Sequence, residues 1–150
     1  MVKLYDINGK VLYNFPQFKD LRDAVEDAVR LGFNLEGIDL SSQNLSGCDL
    51  RGMYAPDSKF SNAIMQNCDL RGADLTGSDM SCCYLLGSCL SRATMCNVNF
   101  QGADLSNCSI IGADMSFAKF ISTDIDGAII EDCSMDNITW KKYVDCEEGE

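Results

Sequence analysis

The chain has 150 residues with 23 acidic and 12 basic side chains and no histidine, a formal net charge of −11. That surplus of carboxylates excludes a general nucleic-acid binder, which needs Lys and Arg to neutralise phosphates, and it points to partners that are basic. The 46% hydrophobic content suffices for one core of ordinary domain size; no apolar run is long enough to span a membrane, and the start MVKLYDINGK lacks a signal-peptide core, so a cytoplasmic protein without membrane contact is expected.

Residues 1–32 read as an N-terminal cap. Asn8-Gly9 predicts a β-hairpin over Val2–Phe15, and a two-residue loop would put Val2, Leu4, Val11, Tyr13 and Phe15 on one face. After Pro16, Leu21, Ala24, Val25, Ala28 and Val29 make the single apolar stripe of an amphipathic helix, with Glu26 and Arg30 as an i, i+4 pair and Gly32 placed to end it.

Residues 33–142 divide into 22 five-residue units without a slip, beginning FNLEG, IDLSS, QNLSG, CDLRG and ending CSMDN, ITWKK. Every residue number divisible by five, from Leu35 to Trp140, is apolar. The position two before it is mostly small, as at Cys48, Ala63, Ala73 and Ala103. The position two after it is often Gly or Asn, which tolerate positive φ. A period of five fits neither helix nor ordinary strand and needs a chain that turns a corner in each unit. MYAPD departs from the pattern: Ala55 is small at a central position, so with Pro56 it predicts a local bulge, or a cavity filled by Met53 or Met95.

The units ADLTG, ADLSN, ADMSF and CDLRG resemble the A-(D/N)-L-x-x unit of pentapeptide repeat proteins over 110 of the 150 residues. The resemblance implies an all-β fold, a right-handed quadrilateral parallel β-helix with four units per coil, here with the hairpin and helix as its N-terminal cap. At roughly 4.8 Å per rung, five and a half coils span about 26 Å. The resemblance also implies bacterial or phage origin. Some members mimic B-DNA, bind DNA gyrase and related topoisomerases, and protect against quinolones.

Residues 20 apart are then expected to stack in columns, one of which holds Leu40, Phe60, Met80, Phe100, Phe120 and Trp140. Five cysteines, Cys48, Cys68, Cys83, Cys108 and Cys133, occupy the small inward position and are expected in the core. No zinc spacing, phosphate loop or nucleophile elbow interrupts the repeat, and without histidine the usual general base is missing. No enzyme activity, cofactor or metal is therefore expected.

The outward residues carry the candidate function. Asp49, Asp69, Asp74, Asp79, Asp104, Asp114 and Asp124 precede central residues, with Asp49 beside Asp69 and Asp104 beside Asp124. Arg51 and Arg71 share a face with the first pair. These carboxylates either bond the local turn backbone, as Asx residues do, or form an array of negative charge for a basic groove. Residues 33–142 hold 14 acidic and 7 basic residues, about half the charge density of duplex DNA. The competing reading is a scaffold or adaptor that binds through exposed apolar residues, with Ile64, Tyr84 and Leu86 as the leading patch. The expected partner is a protein with a basic DNA-binding surface, and both monomer and homodimer stay open. Residues 143–150, with four acidic residues, read as a disordered tail.

Overall fold

The structure is a computed structural model that describes residues 1–141; the acidic stretch 143–150 lies outside them. From Asn34 onward, each residue that precedes a central position bridges in parallel to the residue 20 further along, as Tyr54 does to Asp74 and Asp74 to Thr94. Twenty residues are four units, so each coil has four sides. Two backbone bonds hold each rung: Leu45 N–H donates to the Ile64 carbonyl at 2.7 Å, and Ile64 N–H donates to the Gln43 carbonyl at 2.9 Å. Near the C-terminal end the rungs lengthen into short strands. Ser109–Ile111 (β3) pairs in parallel with Ile129–Glu131 (β5), and Lys119–Ile121 (β4) with Thr139–Lys141 (β6).

The corners follow from one backbone requirement. At all 21 corner positions from Gly37 to Asn137, the second residue after the central one has positive φ; nine are Gly and twelve are not. At most of these corners the turn closes as at Leu45, whose carbonyl accepts from Cys48 N–H at 3.0 Å, the arrangement of a type II turn. Stacked corners also interlock. A Cβ on Gly77, Gly87 or Gly127 would collide with the side chain of Asp57, Asn67 or Asn107 in the preceding coil.

The interior is filled by two inward rows. Each of the eighteen central residues from Leu35 to Phe120 is at most 3% exposed. The ring column is continuous at its end, with Phe100 stacked on Phe120 at 5.2 Å between centroids and Phe120 against Trp140 at 5.8 Å. The small row does more than fill space. Ser78 Oγ donates to the Ala55 carbonyl (3.0 Å), Ser88 Oγ to Met65 (2.6 Å), Cys108 Sγ to Leu85 (3.0 Å) and Thr123 Oγ1 to Phe100 (2.7 Å). Each hydroxyl or thiol thus reaches the carbonyl 23 residues earlier and ties one coil to the next. Burial pushes the Cys68 and Cys83 thiols up to about 12 and Cys108 up to about 11, so they stay protonated donors at neutral pH.

The first coil is closed by the hairpin Val2–Tyr5 (β1) with Val11–Phe15 (β2) and by the helix Leu21–Arg30 (α1). The cap supplies acceptors to the coil's open edge: Asp39 N–H donates to the Tyr5 carbonyl at 2.9 Å and Asp49 N–H to Glu26 Oε1 at 2.7 Å. Glu26 is thereby engaged, and Arg30 pairs with Asp27 instead of the expected Glu26. Helix α1 ends as Gly32 predicts, with Gly32 N–H on the Val29 carbonyl and Phe33 N–H on Ala28. The hairpin departs from expectation at one residue. A bulge between Leu4 and Tyr5 pairs Tyr5 with Val11, which turns Val11 out to 40% exposure while Leu4 and Phe15 stay buried.

The expected bulge at Ala55 is absent. Ala55 N–H keeps its rung bond to Asp74 at 2.9 Å, and Tyr54 bridges both neighbouring coils. Met53, at the small position, is 1% exposed, so large and small residues have exchanged places within the unit. Ala55→Leu should therefore overpack the coil and cost about 1–3 kcal/mol in thermal melts, and adding Met53→Ala should recover most of that loss. Phe117 holds positive φ (63°) with its ring 52% exposed; Phe117→Gly should raise stability by about 1 kcal/mol in chemical denaturation.

Candidate interaction surface

The bridges assign the residues that precede central positions to four faces. The first carries Asn34, Tyr54, Asp74, Thr94, Asp114 and Ser134. The second carries Asp39, Lys59, Asp79, Asn99 and Lys119. The third carries Asn44, Ile64, Tyr84, Asp104 and Asp124. The fourth carries Asp49, Asp69, Cys89 and Ser109. The seven candidate aspartates are thus spread around the rod and adjoin only as Asp49 with Asp69 and Asp104 with Asp124. They do not converge on one surface.

All seven have the same local job. Oδ1 of each accepts the backbone N–H two residues on: Asp49 from Arg51 (3.3 Å), Asp69 from Arg71 (3.2 Å), Asp74 from Thr76 (3.0 Å) and Asp79 from Ser81 (3.0 Å). Ser106 donates to Asp104 (2.9 Å), Ser116 to Asp114 (3.0 Å) and Asp126 to Asp124 (2.9 Å) in the same way. Asn34, Asn44 and Asn99 do it without charge. An amide therefore also serves the corner, and the corner alone does not require the negative charge.

On the fourth face that charge is answered. Arg51 grips Asp49 through Nε (2.8 Å) and Nη2 (2.5 Å) and also lies 3.7 Å from Asp69, which Arg71 grips in turn. The Arg51 guanidinium holds the Asp49 carboxyl below its usual range, and Arg71 does the same for Asp69. Asp114 is lowered by the hydroxyl and backbone N–H of Ser116. On the second face Asp79 accepts from the Asn99 amide at 3.2 Å.

The apolar candidates separate. Ile64 and Tyr84 are bridged neighbours on the third face, 37% and 49% exposed, while Leu86 sits at the adjoining corner and is half-buried. A groove of about 630 Å³ between α1 and the fourth face is lined by Phe18, Asp23, Glu26, Val29 and Arg30 among others. Three of its acids are occupied, Asp27 by Arg30, Asp49 by Arg51 and Glu26 by the Asp49 N–H. Among the described residues no helix is long and apolar enough to cross a membrane.

Four parallel faces, a 20-residue register and an Asx-capped corner in half of the units make a quadrilateral parallel β-helix, right-handed as in the family its repeats resemble. The profile of the pentapeptide repeats family matches in eight copies over residues 34–72, 56–92, 88–127 and 99–137. The chain belongs to the pentapeptide repeat family. Among solved structures, a pentapeptide repeat protein of the Arabidopsis thaliana thylakoid lumen is 24% identical, with 69% of this chain and 64% of that one covered and a TM-score of 0.47. Rfr23 of the cyanobacterium Cyanothece 51142 is 21% identical over 79% of this chain and 99% of its own, with a TM-score of 0.48. QnrB1, a plasmid-mediated fluoroquinolone resistance protein, is 17% identical over 67% of this chain and 68% of its own, with a TM-score of 0.38. No curated protein sequence matches the chain.

The shared capping role separates charge from stability. At pH 7 Asp114→Ala should lose about 1 kcal/mol, whereas Asp114→Asn, which keeps the acceptor but not the charge, should lose only a fraction of that. Because the Asp114 pKa is lowered on folding, its carboxylate adds stability above the unfolded value near 3.9, and that share is lost as pH falls through the lower folded value. Thermal melts from pH 6 to pH 2 should show the parent falling toward the Asn variant in that window.

Proposed function

We propose that this protein is a non-catalytic binding module whose C-terminal coils present DNA-like charge to the basic, DNA-binding surface of another protein. The observation that carries this reading is the grading of charge along the rod. Residues 1–32 hold five acidic and five basic residues, residues 33–101 hold seven and four, and residues 102–141 hold seven and two, with no arginine. Two coils rise about 9.6 Å, over which duplex DNA carries roughly six negative charges. The net charge of the last two coils, −5, comes close to that figure.

The faces support a rod read from several sides. Asp104 and Asp124 lie on the third face and Asp114 on the first, and among the described residues the ion pairs are confined to positions 27–71. The carboxylates of the C-terminal coils thus keep their charge for a partner. A second reading, a scaffold that binds through the third face, is favoured by the paired exposure of Ile64 and Tyr84.

Binding to immobilised type II topoisomerases and other DNA-binding enzymes, measured with a salt series and duplex DNA as competitor, tests both. Moderate salt and added duplex should each release the complex, and joint Asp104→Asn, Asp124→Asn and Asp126→Asn should weaken it at least about ten-fold with the melting temperature kept. Binding that survives high salt, ignores DNA and is lost on Tyr84→Ser would replace the mimic with the scaffold.

A further inference from the structure

The two ends of the rod are finished differently. The cap closes the first coil, but in the last coil the inward row comes to the surface: Ile125 and Ile130 are half-buried, Met135 is 45% exposed and Trp140 is 47% exposed. Phe120 lies against Trp140 at 5.8 Å and is itself stacked on Phe100, so the indole is supported from below, and among the described residues no ring stacks on its outer side. Around this apolar centre stand Asp124, Asp126, Glu131, Asp132 and Asp136, all exposed, against Lys141 on the same coil.

We propose that this end is a docking face for a basic partner that inserts an apolar side chain onto Met135 and Trp140 while its Lys or Arg residues meet the acidic rim. An apolar centre inside a polar rim is the anatomy of specific protein interfaces, and Trp and Met are enriched at such centres. Charge selects the occupant. Two copies placed end to end would oppose two rims of the same sign, a repulsive arrangement, whereas a lysine-ringed apolar knob is complementary in both respects. The inference rests on the reading of the partner as basic and adds a contact that salt screens far less than carboxylate pairing.

Trp140 is the single tryptophan of the chain, so its fluorescence reports on this end alone. The probe is a labelled amphipathic peptide with leucines on one side and lysines on the other, compared with a lysine-only peptide of equal charge on the full-length protein. The leucine–lysine peptide should move Trp140 emission to shorter wavelength, shield it from acrylamide and stay bound at salt that releases the lysine-only peptide. Met135→Ser should weaken it roughly thirty-fold without lowering the melting temperature. Three results would overturn the proposal. Trp140 already shielded in dilute monomer means that the chain covers its own end; shielding that grows with protein concentration, with a dimer in sedimentation, means that a second copy does; a peptide bound without any Trp140 response means that charge elsewhere holds it. The charge-mimic reading fails by a different sign, a complex indifferent to duplex DNA and to the three Asn substitutions, with the Trp140 response intact.

Discussion

Everything in this fold depends on the chain turning a right angle every five residues while its amides keep pairing with the coils above and below. The pairing requires a fixed separation of 19 to 21 residues between donors and acceptors, and the corner requires a left-handed residue in each unit. Neither condition is met alone. A missed corner would break the register of every later rung, and a missed rung would leave the corner carbonyl and amide unsatisfied. Twelve corners pay for this with a side chain at positive φ, including Arg92 and Phe117, which have no intrinsic liking for that region. They are held there by neighbours on both sides in the stack, which is how a strained conformation persists in an otherwise regular structure.

The same stacking gives one side chain two duties. An aspartate before a central residue bonds its own corner and also faces solvent, so the corner is stabilised and the rod is charged by a single carboxylate. Asparagine discharges the first duty without the second, and both residues occur at this position along the chain. In the N-terminal half arginines neutralise two of the charges, while the last two coils hold seven acidic residues to two basic ones. Function, on this view, lies less in any one carboxylate than in where the sequence chose Asp over Asn and left arginine out.

Much of this was legible in the sequence because the period is unbroken. Central residues, corners, columns and the pairing of Asp49 with Asp69 all follow from counting by five and by twenty. What counting missed has physical reasons. The Val11 bulge depends on Asp6, whose Oδ1 accepts from both Asn8 (2.9 Å) and Lys10 (2.8 Å) and so widens a loop that Asn8-Gly9 alone predicts to be tight. Glu26 was placed by helix spacing against Arg30, but the unpaired amide of Asp49 is a donor that helix spacing does not register. The inward serines and cysteines read as small fillers, and only the approach of the next coil shows that they are donors. Leu86 reads as outward by position, yet it is half-buried.

The interlocked corners bear on how such a chain can lengthen. Along one edge the corner residues alternate as Gly47, Asn67, Gly87, Asn107 and Gly127, each asparagine leaning over the glycine of the coil that follows. Adding or deleting a single pentapeptide would carry every downstream residue a quarter turn around the axis, set asparagine against the wrong corner and scatter the outward columns over new sides. Whole coils, added in pairs, would preserve both the alternation and the facing of every column. The heritable module of this rod is therefore larger than the motif that makes it recognisable: it is grammar written in words of five letters but edited in lines of twenty or forty.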